Sequence, residues 1–256
     1  MIHPTAVVDR HAEIDSSAEV GPCAVIGPKV KIGPRTRVGP HAVIEGDTTI
    51  GADNVIFQFA AVGAIPQDLK YAGEPTRLLI GDSNRIREFA TVHIGTAAGG
   101  GVTRVGNGCL LMANSHVAHD VQLGDGCVLA NSTALAGHVV VEDHVIFGGL
   151  SAVHQFTRIG RLAFISGGAM VTQDVPPYVT VQGDRAEVVG LNTVGLTRAH
   201  FDEHAIARVK GAYKILFRSK MGLREAVAHV KAEYGGYAEI DHFVAFLEGS
   251  QRGIAR

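Results

Sequence analysis

Thirteen histidines punctuate this chain, and five of them, His93, His116, His119, His138 and His154, fall in short segments rich in other reactive or hydrogen-bonding groups. In NSHVAHD (114–120) an imidazole is followed directly by a carboxylate, Asp120, a pairing that can orient a general base or steady its charged form. In LAGHV (135–139) His138 follows Gly137, whose backbone N–H could hold charge developing on a carbonyl oxygen, although the same glycine reads equally well as a turn residue. Clustered imidazoles suit two chemistries, zinc binding and acid–base catalysis around an anionic substrate. The chain carries no GxSxG, no GxxxxGK[ST] and no Ser or Cys nucleophile beside an obvious partner. Direct group transfer without a covalent enzyme intermediate is therefore favoured. His11, His41, His200 and His229 read as surface polar residues.

A hexad repeat must position these groups. From Ile2 onward an aliphatic residue occupies every sixth position through Val8, Ile14, Val20, Ile26, Ile32, Val38, Ile44, Ile50 and Ile56 to Val62. The period resumes at Ile80, Ile86 and Val92, and again from Val105 through Val171. Neither a helical period nor strict alternation fits this spacing. A hexapeptide repeat is the signature of a parallel β-helix, in which each hexad gives one short strand and a turn, and three hexads close a triangular coil. The pattern predicts about nine coils, roughly 40 Å long at ~4.8 Å per coil. The small residue two places before each aliphatic, as in Ala6, Ala12, Ala18, Ala24, Thr36 and Ala42, should fill the tapering interior. The glycine that often follows the aliphatic should supply turns with φ > 0. Cys109 and Cys127 occupy the small position one coil apart, so they read as core filler.

This register puts the hexads of Val92, Val117, Leu135 and Val153 on one face of four successive coils. His93, His119, His138 and His154 belong to those hexads, with His116 at the preceding corner. Two interruptions, 68–79 and 98–104, should leave the coil from one corner, and long loops on a rigid scaffold commonly carry function. His119 and His154 lie two coils apart, roughly 10 Å. A tetrahedral zinc with bonds of about 2.0–2.1 Å cannot easily gather them from one chain, so zinc would need a neighbour's imidazole across an oligomer interface. The leading expectation is acid–base chemistry with no metal and no cofactor.

Composition narrows the class further. Among 256 residues, 23 Lys and Arg against 25 Asp and Glu leave no global basic field for nucleic acid. No run approaches the ~18 apolar residues of a membrane span, and acids stand where a signal peptide would be apolar, so a cytoplasmic chain is expected. Three Cys without CxxC spacing argue against a disulfide framework. A structural rod would show flat Thr or Asn arrays, which are absent. Residues 1–186 read as the β-helix and 187–256 as a helical domain, with Ile206, Val209, Tyr213, Leu216 and Phe217, then Ala226, Val227 and Val230, then Ile240, Phe243, Val244 and Leu247 at helical spacing. Asp202 and Asp241 are expected near helix starts as caps. Lys210, Lys214 and Arg218 form a basic stripe, followed by Lys220 and Arg224, that reads either as a solvated face or as a dock for an acidic partner.

IPQDLKYAGEPT (65–76), NSHVAHD, LAGHV, AVHQF (152–156) and QDVPPYV (173–179), taken together and in this order, resemble the UDP-N-acetylglucosamine acyltransferases of lipid A biosynthesis. The resemblance covers almost the whole chain. It implies a left-handed coil, a homotrimer with active sites between subunits, and transfer of a 3-hydroxyacyl chain from acyl carrier protein to the sugar 3-hydroxyl. It further implies His119 as catalytic base, Asp120 as its partner and the Gly137 amide as oxyanion donor. Gln67, Asp68, Lys70, His116, His138, His154 and Gln155 match substrate-binding positions, and Asn192 and Arg198 match positions that hold the nucleotide. Val194 and Ala199 stand where such sequences often carry polar or charged residues. Gly167 matches the position that sets acyl-chain length.

Overall fold

The computed structural model describes all 256 residues. Short parallel strands, most of two residues, stack into three sheets of nine, eight and ten strands that form the faces of a triangular prism. The coil is a left-handed parallel β-helix. Away from the two loops and the last coil, each strand pairs in register with one eighteen residues on, so that Val25 and Ile26 meet Val43 and Ile44, and Leu110 and Leu111 meet Val128 and Leu129. The inward aliphatics and the small residues are shut from water: Ile44, Leu129, Ala24, Ala42 and Thr36 are all 0% exposed. This continuous core holds the prism rigid over its length.

The prism has a first edge between the first and second faces, a second edge between the second and third, and a third edge that returns to the first. At most corners the residue three after the inward aliphatic has φ near +60°, and it is seldom glycine: Arg35, His41, Asp53, Phe89, Asp120, His138 and Leu162 all adopt this conformation. The strain is offset by stacking, because the N–H of such a residue reaches the carbonyl one coil below, as from His138 to His119 at 3.1 Å. Gly63 has φ +85° as expected, but most glycines that follow the aliphatics serve a different need. Gly33 has no positive φ, but a Cβ there would lie 2.7 Å from the Gly51 backbone on the next coil. Its role is close approach.

Both excursions leave the first edge, with corrected limits. Arg77–Ile80 and Val102–Val105 already pair along their whole length, with Leu78 opposite Thr103. The departures from the coil therefore span 65–76 and 94–101 rather than 68–79 and 98–104. The aliphatic marker of each hexad comes at the end of its strand, so counting from it places the loop boundary late.

Glu187–Leu191, placed with the helical tail by the sequence, is a strand antiparallel to Val179–Gln182 that ends the third sheet. Helices follow at α1 (Thr193–Arg198), α2 (Glu203–Arg218), α3 (Leu223–Tyr234) and α4 (Ala238–Glu248). Asp202 caps α2 by accepting from Ala205 N–H at 2.7 Å. Asp241 lies inside the first turn of α4, where Oδ1 accepts from Gly236 N–H instead of capping the helix. The tail is fixed to the prism by His242 on Glu142 at 2.8 Å, by the Arg158 guanidinium over the Phe246 ring, and by buried Tyr178 against Phe201 and Phe243. No helix is long and apolar enough to cross a membrane.

Candidate active site

The first edge gathers the reactive residues at equivalent turn positions of successive coils. His119 and Asp120 are the second and third residues after Val117, Gly137 and His138 follow Leu135 in the same way, and Gln155 and Phe156 follow Val153. The left-handed conformation of Asp120 turns its carboxylate inward, where its side chain is 1% exposed. Oδ1 accepts from Thr96 N–H at 2.9 Å, and Oδ2 accepts from the Thr96 hydroxyl at 2.6 Å. The Asp120 N–H donates to the Thr103 hydroxyl at 2.8 Å. The second excursion thus serves as the socket of the carboxylate.

Asp120 Oδ2 also meets His119 Nδ1 at 2.8 Å. That contact assigns the Nδ1 proton to the carboxylate side and leaves Nε2 as the acceptor. The far edge of the ring lies on Gly137, where a Cβ would come within 2.5 Å of Cε1 and 2.7 Å of Nε2. A side chain at 137 would displace the ring. The Gly137 N–H makes no hydrogen bond within the chain. A base and an unspent donor therefore stand side by side, the combination needed to deprotonate a hydroxyl and receive charge on the carbonyl it attacks.

His138 crosses the His119 ring edge-to-face at 5.0 Å and stacks on Phe156 at 4.3 Å, with Nδ1 3.8 Å from Asp120 Oδ2. Burial lowers its pKa, against an opposing pull from the Asp120 carboxylate. His116 lies within a strand of the first face rather than at a corner, paired with Thr91 and Ala134, and its Nδ1 contacts the Thr91 hydroxyl at 2.7 Å. Burial lowers its pKa too, with nearby His119 acting in the same direction. His93 packs edge-to-face on His116 at 4.8 Å and is only 4% exposed. Burial first, then His116 and His119, brings its pKa down to about 4. Burial thus disfavours the charged form of all three rings.

The other candidates divide. Gln67 and Lys70 are exposed on the first excursion, whereas Asp68 is half-buried, accepts the Lys70 N–H at 3.0 Å and acts electrostatically on His138. His154 and Gln155 are exposed one coil beyond Gly137. Asn192 and Arg198 are not brought to His119; they line a separate cleft of about 400 Å³ against the second edge with His144 and Arg161. Asn192 also caps α1, with Oδ1 accepting from Gly195 N–H and Nδ2 donating to Leu162 O. Ala199 lines the same cleft, and Val194 is 59% exposed. Gly167 sits on the third edge and lacks a positive φ; Gly168 beside it has φ +70°. In the basic stripe Lys210 and Lys214 are exposed, but Arg218 donates to Val189 O and to the Tyr213 hydroxyl, which ties it to the fold.

Thr96, Thr103 and Phe156 were not singled out by sequence reading, although Phe156 lies within AVHQF and Thr103 within an expected loop. Ligand atoms of His119, Asp120 and His138 lie within 4.8 Å of one another and are the set that could hold a metal ion. His154 stands outside it.

Comparison with known proteins places this geometry. A family model described as UDP N-acetylglucosamine O-acyltransferase, domain 2, matches residues 174–255, and one described as bacterial transferase hexapeptide (six repeats) matches 103–137. An acyl-[acyl-carrier-protein]–UDP-N-acetylglucosamine O-acyltransferase of Anaeromyxobacter sp. (strain Fw109-5) is 63% identical, the alignment covering 100% of this chain and 99% of that protein. Its counterpart in Myxococcus xanthus (strain DK1622) is 62% identical over the same shares. The crystal structure of the UDP-N-acetylglucosamine O-acyltransferase from Moraxella catarrhalis RH4 superposes with a TM-score of 0.96 at 43% identity, covering 100% of this chain and 99% of that one. With identity of this level over its full length, the chain belongs to the acyl-[acyl-carrier-protein]–UDP-N-acetylglucosamine O-acyltransferase family.

Proposed function

We propose that this enzyme moves a 3-hydroxyacyl chain from acyl carrier protein to the 3-hydroxyl of UDP-N-acetylglucosamine, the opening step of lipid A biosynthesis, with His119 as general base and no covalent intermediate. The observation that carries the reading is the His119 ring held between buried Asp120 and Gly137, with the Gly137 N–H unspent beside it. His119 Nε2 takes the hydroxyl proton as the sugar oxygen bonds to the thioester carbonyl carbon. The resulting oxyanion accepts from the Gly137 N–H. Collapse breaks the C–S bond, and the departing thiolate recovers the proton from the His119 imidazolium, which Asp120 steadies in the interval.

Asn192 and Arg198 face the second edge and Gly167 the third, so one chain does not assemble every assigned group around His119. A homotrimer that sets the first edge of one subunit against its neighbour supplies the missing walls, and the proposed substrates place the enzyme in the cytoplasm. Exposed Lys210 and Lys214 offer charge to an acidic carrier protein.

Product formation from UDP-N-acetylglucosamine and a panel of 3-hydroxyacyl carrier-protein thioesters tests the substrates, with the 3-amino sugar analogue as competitor. Turnover of neither sugar rejects the assignment. Intact-mass measurement after incubation with the thioester alone should show unmodified enzyme, and a stable mass gain of one acyl group rejects direct transfer.

A further inference from the structure

The last residues of the chain fold back on the prism as a strap. Its anchor is Asp174, 1% exposed, whose Oδ2 accepts from the Ser250 hydroxyl at 2.8 Å while Oδ1 accepts from Arg158 N–H at 2.9 Å. The Asp174 N–H donates to Gly253 O at 3.0 Å, and Ala255 N–H donates to Asp174 O at 2.8 Å. Beyond it, the Arg256 guanidinium donates to Leu216 O at 3.0 Å. Arg252 lies between these fixed points, and its guanidinium is delivered to His154 Nδ1 at 3.3 Å and to Thr172 O at 3.4 Å.

His154 Nδ1 has a second suitor, Gln155 O at 3.1 Å. The two contacts make opposite demands. A carbonyl oxygen requires a proton on Nδ1, whereas a guanidinium can only donate and requires the Nδ1 lone pair. A proton on Nδ1 would also face a permanent positive charge. The arrangement with Arg252 in place therefore leaves the ring proton on Nε2, and Nε2 makes no hydrogen bond within the chain.

We propose that Arg252 is a positioning residue: held by the strap, it fixes His154 as the neutral Nε2–H tautomer, which presents a hydrogen-bond donor to the diphosphate of the nucleotide sugar. This rests on the proposed function. His154 lies roughly 10 Å along the coil from His119. A diphosphate attached to the sugar being acylated reaches that far from the reacting hydroxyl, while the phosphodiester of a carrier-protein arm lies farther from its thioester. The guanidinium adds positive charge on the same side.

The test is Arg252→Gln, with His154→Gln used to assign the imidazole signals. In the wild type, ¹⁵N and ¹³C NMR should report the Nε2–H tautomer at His154. In Arg252→Gln the Nδ1–H form should appear, KM for UDP-N-acetylglucosamine should rise about tenfold, and kcat should change less than about threefold. KM for the acyl carrier thioester should stay unchanged, and Arg252→Lys should recover part of the loss. An identical tautomer in the wild type and Arg252→Gln overturns the proposal. So does a fall in kcat and thermal stability with the sugar KM unchanged, which would make the strap merely structural. If the wild type fails to acylate UDP-N-acetylglucosamine, the functional reading falls, and the diphosphate role with it, while the tautomer measurement still decides whether Arg252 governs His154.

Discussion

The first and second edges of the prism share one backbone and spend it differently. At the second edge the amide two residues past the inward aliphatic is satisfied by a side chain from the coil above: Ala52 donates to Asp82, Asp82 to Asn107, Asn107 to Asp125 and Asp125 to Asp143, all at 2.7–2.8 Å. One coil below Ala52, Pro34 occupies the same turn position of the second edge and removes the donor altogether. At the first edge Gly137 keeps its donor free, and a histidine occupies the equivalent place one coil below. From Ala52 to Asp125 the second edge spends this amide on bonds between coils, whereas Gly137 leaves it open beside His119.

Breaking that distinction at its tightest point should have the largest effect. Gly137→Ala adds a methyl that must move the His119 ring, since Cε1 and Nε2 would lie 2.5 and 2.7 Å away. The backbone at 137 has no positive φ, so alanine is conformationally acceptable there. A displacement of the base by about an ångström should lower kcat on the order of 100-fold. Steady-state kinetics beside a thermal melt checks this, and a loss of folding together with activity would assign the glycine to packing alone.

The third edge offers a gentler contrast, in which specificity rather than rate should move. A Cβ at Gly167 would lie 3.4 Å from Gly149 O, ordinary contact with room beyond. Gly167→Met should shift preference toward a 3-hydroxyacyl chain several carbons shorter while short thioesters keep most of their rate, each excluded CH₂ being worth about 0.8 kcal/mol. Equal losses at all lengths in a thioester panel would place the ruler elsewhere.

The smallest effect concerns stability against pH. His93 titrates near 6.5 when unfolded but near 4 when folded, because burial disfavours its charged form. Between those values the unfolded chain binds the extra proton, so stability is fully present above about pH 6.5 and is lost as pH falls toward 4. Thermal melts from pH 7 to 4.5 should show this slope. His93→Gln should flatten it, and an unchanged slope would assign it to other groups.

Much of this was legible in the sequence because the repeat is strict. Six-residue spacing set the faces, and that register put His93, His119, His138 and His154 on one face; in the structure His119, His138 and His154 lie at its edge and His93 within a strand. Most of these glycines misled, because a repeat shows where they stand but not whether φ or close approach demands them. The backbone shows that non-glycine residues such as Asp120 carry the positive φ, and that conformation turns the Asp120 carboxylate into its socket. Thr96 and Thr103 left no sequence signal because their partnership with Asp120 is made across an irregular excursion. Arg252 left none because the strap that carries it has no period. Asn192, assigned to the nucleotide by resemblance, proved also to be a helix cap, since one amide can bond in both directions.

The contrast between edges is tested most directly by kcat for His119→Ala and Asp125→Ala, measured in one assay with saturating UDP-N-acetylglucosamine and acyl carrier thioester. Both residues occupy the second turn position of their hexads and accept or support bonds between coils. The predicted result is a fall of at least 100-fold for His119→Ala with the fold intact, against a change below about twofold for Asp125→Ala. More than about a tenth of the wild-type rate in His119→Ala, or comparable losses in both variants, would contradict the assignment of the chemistry to the first edge.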